Sequence, residues 1–108
     1  MKRGDVALVV LQGELGKPRP CVIVQSDELG ALSSLIVCPM SSFIDVANLM
    51  RPIVAPTVQN GLLVRTQIMT DKLNTLRRDR IRRVIGTLDS DACERLDSAL
   101  LLVLGLTR

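Results

Sequence analysis

Arg19 stands between two prolines in the stretch Gly16-Lys17-Pro18-Arg19-Pro20, which runs straight into the apolar segment Cys21-Val22-Ile23-Val24-Gln25. Each proline fixes its own φ and drives the residue before it into extended geometry, so the chain enters a strand here with little backbone freedom. The guanidinium is therefore aimed in advance. A pre-aimed planar fork of donors suits a phosphate, and suits still better a phosphorus centre that gains negative charge as it reacts. The plain structural alternative is that Pro18 and Pro20 only stiffen the way into a strand while Arg19 extends into solvent.

On either side of this stretch the pattern is one of short apolar runs broken by turn residues. Residues 6–11 form a continuous apolar run whose length and valines predict a strand buried on both faces. Residues 12–17 form a Gly-containing loop, so that the strands 6–11 and 20–25 make an antiparallel pair. A third strand is predicted over 34–40, with Pro39 limiting ladder pairing so that 39–42 lies at a sheet edge or bulge. The mixed segment 41–49 reads as a mobile loop. Further strands are expected over 51–55, fenced by Pro52 and Pro56, and over 62–69 after an Asn60-Gly61 turn signal. Residues 71–75 read as a turn.

The run Arg77-Arg78-Asp79-Arg80-Ile81-Arg82-Arg83 reads either as a patch that tracks phosphates or as the solvated side of one helical turn, and the second is favoured on sequence alone. A short strand is expected over 84–88. Asp89 or Ser90 then caps a helix whose early turns carry Asp91 and Glu94. Ala92, Cys93, Leu96, Ala99, Leu100 and Val103 form its buried stripe; Leu101, Leu102 and Leu104 widen that stripe, and Gly105 stops the helix. These elements predict an α+β, mainly β architecture: a compact, strongly curved antiparallel sheet or small barrel with one C-terminal helix.

The chain has 108 residues, within the usual range for one domain and one core. At 47% hydrophobic residues it has apolar surface to hide, for which a homodimer is the simplest solution. A formal charge of +3 permits an anionic partner such as nucleic acid without demanding one. Cys21, Cys38 and Cys93 are far apart and odd in number, as expected of reduced core residues in a cytoplasmic protein. No apolar run approaches a membrane span, and the first is too short for a signal-peptide core. The chain has no histidine, tryptophan or tyrosine, and only one phenylalanine, Phe43. That excludes imidazole acid–base pairs, argues against a zinc site or other cofactor, and removes the aromatic platforms on which RRM and OB modules stack bases.

The order of short motifs carries more than any one of them. Arg3-Gly4-Asp5 precedes the first strand, Gly16-Lys17-Pro18-Arg19-Pro20 precedes a strand ending Gln25-Ser26-Asp27, and Val37-Cys38-Pro39-Met40-Ser41 follows. Pro56-Thr57, Asn60-Gly61-Leu62, Gln67-Ile68-Met69-Thr70-Asp71-Lys72, Ile85-Gly86 and Leu104-Gly105-Leu106 complete the series. In this order the chain resembles the MazF/PemK (CcdB-like) toxin family of toxin–antitoxin modules over nearly its whole length. The resemblance implies an SH3-like barrel with a terminal helix, a homodimer, and metal-independent cleavage of single-stranded RNA at short sequences, checked by a cognate antitoxin. It carries the catalytic arginine onto Arg19 and the catalytic threonine onto Ser41, with Ser42 beside it as the alternative hydroxyl. The loop 12–17 would cover the RNA groove. Thr66 stands where many members have an acidic residue, so no role is carried over from that carboxylate.

The expected reaction is attack of the ribose 2′-OH on phosphorus, leaving a 2′,3′-cyclic phosphate and a 5′-OH. Arg19 offsets the charge that the phosphoryl oxygens gain, Ser41 orients the phosphate, and Lys17 beside Pro18 steers the RNA backbone. Gln67 reads as either a base contact or a filler of a strand position, and Phe43 as either a stacking surface or a loop anchor. Two other classes compete with this one. A plain RNA-binding module or degenerate toxin would use the same cations without chemistry. A gyrase poison on the same fold relies on a tryptophan near the chain end, and this chain has none.

Overall fold

The first apolar run forms β1, Asp5–Val10. A computed structural model describes residues 1–10 and 16–106; Leu11 and most of the loop 12–17 lie outside the described residues. The second strand, β2, is Pro18–Ile23 and pairs antiparallel with β1 from Val6↔Val22 to Val10↔Pro18. It starts two residues before the expected 20–25 because a proline can open a strand where no ladder donor is needed. It ends two residues earlier because the amides of Val24 and Gln25 both converge on the Ile36 carbonyl, at 3.1 and 3.2 Å.

β3, Ser34–Ser41, is the hub of the sheet. It pairs with β2 along one edge, and along the other with β6 (Asn74–Arg77) and then with β5 (Thr66–Ile68). Pro39 was expected at an edge or bulge, yet it is buried inside β3 and registers with Cys21. Its missing N–H falls where β3 changes partner, between Val37↔Asn74 and Met40↔Ile68, and its carbonyl on that same side accepts from Met69 N–H at 2.9 Å. Proline is tolerated because no ladder acceptor waits for it there.

β4, Ile53–Val54, pairs with β5, which is shorter than the expected 62–69. β6 occupies ground read as a turn. The charge run is a helical turn only at the 3₁₀ segment Arg78–Arg80; Ile81–Thr87 forms β7, which pairs with β1 from Asp5↔Thr87 to Val9↔Ile81. Ladder bonds to a buried strand outweigh local polarity, since arginines fit a strand whose other face is wet. Among the described residues, seven strands form one antiparallel sheet in the order β4-β5-β3-β2-β1-β7, with β6 also on β3.

The helix α1, Ser90–Val103, begins as expected: the Asp89 carboxylate accepts from Ala92 N–H at 2.8 Å. It ends in a Schellman arrangement, with Leu106 N–H donating to the Leu101 carbonyl, Gly105 N–H to that of Leu102, and Gly105 at φ +71°. Side chains alternate across the three central strands. Val6, Val22 and Cys38 pack under Leu96 and Leu100 of α1, while Ala7, Cys21 and Val37 pack on the other face, where the sheet curls and brings Leu76 and Ile81 over them. Both faces are buried, which is why these strands read as continuous apolar runs. Cys21 and Cys38 fall on opposite faces, and burial pushes both thiols up to about 12, so neither is reactive. No helix among the described residues is long and apolar enough to cross a membrane.

Candidate active site

The β2–β3 register that pairs Ile23 with Val37 and Cys21 with Pro39, continued by two residues, sets Arg19 opposite Ser41. Both side chains line one cavity of about 650 Å³ at this end of the sheet. Leu8 of β1 and Pro20 of β2, partners in the ladder, form part of its apolar lining. Ser41 is the last residue of β3, and its Oγ accepts from Phe43 N–H at 3.1 Å. That bond orients the hydroxyl and leaves its O–H to donate to a ligand oxygen.

Ser42 and Phe43 follow along the lining, with Phe43 81% exposed at the rim. The turns beyond them are tied down rather than loose. Gln67 is 1% exposed; its Nε2 donates to the carbonyls of Asp45 and Arg51, both at 3.0 Å, and its Oε1 accepts from Asp45 N–H at 2.9 Å. Gln67 thus anchors the 45–51 segment from behind and does not line the cavity, so of its two readings the structure has the strand position and not the base contact. Arg51 clamps the same segment to Asp71 through two hydrogen bonds, 2.7 and 3.1 Å, and those bonds hold the Asp71 carboxyl below its ordinary pKa. Thr70 Oγ1 adds a hydrogen bond to the Met50 carbonyl.

Another part of the lining is the chain from Gly61 to Val64. Asn60, 3% exposed, organises it: its Oδ1 accepts from the N–H groups of Thr57 and Leu62, both at 3.0 Å, and its Nδ2 donates to the Ala55 carbonyl at 2.9 Å. Gly61 at φ +71° crosses β7 so closely that a Cβ would sit 2.1 Å from the Ile85 carbonyl oxygen, and one on Gly86 would sit 2.4 Å from that of Gln59. The Asn-Gly pair therefore sets the distance between this loop and β7, and with it the width of the groove. The hydroxyl of Thr66 is engaged by the Val64 carbonyl at 2.9 Å, which leaves it a structural part.

Of the residues expected at the site, Arg19, Ser41, Ser42 and Phe43 meet at this cavity; Lys17 and Pro18 are exposed just before it and do not line it. Sequence reasoning held Arg83 only as one of a charge run whose solvated reading it favoured, whereas it enters the lining from β7 opposite Leu8; the apolar residues Leu63 and Val64 were missed. The signal for Arg83 was present: it ends the charge run, three residues before the glycine that meets the Asn60 loop. The charged residues among the described lining are two arginines, with no carboxylate, so the cavity favours an anion. No group of three metal-ligating side chains forms among the described residues.

A family model described as "PemK-like, MazF-like toxin of type II toxin-antitoxin system" matches residues 2–104. A relative from Mycolicibacterium smegmatis, named a probable endoribonuclease MazF, is 36% identical over 107 residues, 98% of each chain. Among solved structures, a mycobacterial endoribonuclease in complex with its cognate antitoxin superposes with a TM-score of 0.85 at 17% identity, covering 100% of this chain and 98% of that one. The Mycobacterium tuberculosis toxin MazF-mt6 gives 0.82 at 20% identity over 96% and 99%. A MazE–MazF complex from Deinococcus radiodurans gives 0.80 at 16% identity over 99% and 97%. These structures share the curled antiparallel sheet with one C-terminal helix, and the match over residues 2–104 with the 36% identical relative places the chain in the family of PemK-like, MazF-like toxins of type II toxin–antitoxin systems.

Proposed function

We propose that the chain is an endoribonuclease toxin of the cytoplasm that cuts single-stranded RNA at short sequences, without a metal ion, and is held in check by a cognate antitoxin. The observation that carries this reading is that Arg19 and Ser41, at neighbouring ends of the adjacent strands β2 and β3, line one cavity whose described charged residues are both arginines. The 36% identical relative is itself named a probable endoribonuclease, and the mycobacterial endoribonuclease above was solved with its antitoxin.

The 2′ oxygen next to the cut attacks phosphorus and the P–O5′ bond breaks; the 2′ proton leaves as the 5′ oxygen gains one, giving a 2′,3′-cyclic phosphate and a 5′-OH. As the pentavalent centre forms, its non-bridging oxygens gain charge, and the Arg19 guanidinium donates to them from a cavity whose described lining holds no carboxylate. Ser41 donates to one of those oxygens from an orientation fixed by Phe43 N–H. Lys17, exposed ahead of β2, supplies a point charge that steers the RNA backbone toward the groove. The exposed apolar end of α1, with Leu101, Leu102, Leu104 and Leu106 each 45–62% exposed, supports association with a second copy of the chain.

The test is cleavage of a single-stranded RNA with EDTA present, beside the same strand carrying a 2′-deoxy nucleotide at the mapped cut. The reading expects cutting of the first and none of the second. Retained cutting at the deoxy site contradicts 2′-OH attack, and salt-sensitive binding with no cutting of either strand would instead mark a binding module.

A further inference from the structure

We propose that Arg83 is a second phosphate contact of the RNA groove, gripping a backbone phosphate next to the one that reacts; this rests on the reading of the cavity as an RNA site. Most arginines of the described residues are occupied. Arg3, Arg51, Arg77 and Arg95 form ion pairs with Asp97, Asp71, Asp79 and Asp91, and Arg78 donates to the Leu32 carbonyl at 2.6 Å. The Arg83 side chain makes no hydrogen bond or ion pair among the described residues. It is exposed, and it is the cation of the charge run that lines the cavity. Its neighbour Arg82 is equally exposed but falls at the break in register between Leu8↔Arg83 and Val9↔Ile81, and it does not line the cavity.

Register fixes where Arg83 stands relative to Arg19. Leu8 of β1 has Pro20 of β2 opposite it on one side and Arg83 of β7 on the other. Arg83 is thus two strand spacings, roughly 10 Å at the backbone, from the strand that carries Arg19. The Arg19–Ser41 pair marks the reacting phosphate. Arg83 lies across the apolar lining of Leu8 and Pro20, which takes the sugar and base face of the intervening nucleotide. A guanidinium on a strand, with no partner among the described residues, matches a phosphate bidentately without first breaking an ion pair to one of them. The sign of the effect follows: Arg83 contributes equally to bound substrate and transition state, so it sets affinity and not the chemical step.

The experiment compares wild type with Arg83→Gln, Arg83→Lys and Arg82→Gln, each checked for folding by thermal melting. Two readouts are taken: binding of a single-stranded RNA blocked by 2′-deoxy substitution across a salt series, and kcat and KM on the unmodified RNA. For Arg83→Gln the proposal expects the slope of log affinity against log salt to fall by about 0.7, the single-strand value for one phosphate contact. KM should rise several-fold with kcat unchanged. Arg83→Lys should keep the slope, and Arg82→Gln should keep both slope and KM. An unchanged slope in Arg83→Gln, an equal loss in Arg82→Gln, or a fall in kcat at unchanged affinity each overturns it. If wild type cuts no RNA, the nuclease reading fails on its own, and the binding slopes still decide Arg83.

Discussion

The Ser41 hydroxyl proposed to orient the phosphate is itself oriented by the backbone two residues on. Ser41 Oγ accepts from Phe43 N–H, which engages one lone pair and leaves its O–H to donate to a ligand oxygen. Ser41→Thr keeps that arrangement and adds a methyl group, and activity is expected to stay within a few-fold. Ser41→Ala removes a donor to an ionised oxygen, a contact worth roughly 1.5–3 kcal/mol, so the cleavage rate should fall about ten- to a hundredfold. Single-turnover rates on one RNA would check both, and equal rates for Ala and wild type would move the hydroxyl's role to Ser42. Gln67 teaches the opposite lesson at the same scale. The sequence left it as either a base contact or a filler of a strand position, and three hydrogen bonds to the backbone of Asp45 and Arg51, which use both its donors, fix it as the second.

Among the elements, the loop ending in Asn60-Gly61 and the strand β7 are fitted to each other. Gly61→Ala must place a Cβ against the Ile85 carbonyl oxygen while holding φ +71°, whereas Ala at Gly105, also at φ +71°, meets nothing within 4 Å. Gly105→Ala should therefore cost only the left-handed backbone penalty, about 1–2 kcal/mol, and Gly61→Ala distinctly more, with a melting temperature lower by on the order of 10 °C or more. Equal shifts in the two variants would contradict the close approach. This fit was half visible in the sequence: Asn60-Gly61 announced a turn, and Ile85-Gly86 a strand, but their contact is long-range. The elements with strong local signals, β1, β2, β3 and α1 with its Asp89 cap and Gly105 stop, were legible for that reason. β6 and the start of β7 were not, because arginines mask strands whose pairing with β3 and β1 decides their state. Arg19 and Ser41 could be named from motif order. Arg83 showed only as one arginine of a charge run, since it is the register with Leu8 that singles it out and brings it to the groove.

Charge ties the molecule down at two points, Lys2 on Asp5 and Arg51 on Asp71. Burial works to raise the pKa of Asp5, but the Lys2 N–H and ammonium outweigh it and hold the carboxyl below its ordinary value; the Arg51 hydrogen bonds do the same for Asp71. A carboxylate depressed in the folded state stabilises it fully above the unfolded pKa of about 3.9, and that contribution disappears as pH falls through the lower folded value. Melting temperature should be flat from neutral pH to about 5 and drop below about pH 4, less steeply in Asp71→Asn; parallel curves would show that the Arg51–Asp71 pair carries none of it. The apolar end of α1 bears on assembly. Light scattering at micromolar concentration should give the mass of a dimer, and Leu101→Glu with Leu104→Glu should give a monomer; a monomeric wild type would leave that surface uncovered. The account as a whole turns on one guanidinium facing a phosphodiester, and the direct measurement is cleavage of a defined single-stranded RNA with the product ends mapped, wild type against Arg19→Ala. Wild type is expected to leave 2′,3′-cyclic phosphate and 5′-OH ends, and Arg19→Ala to cut roughly 10²–10³ times more slowly while still binding RNA; undiminished cutting by Arg19→Ala, or 5′-phosphate ends from wild type, would contradict it.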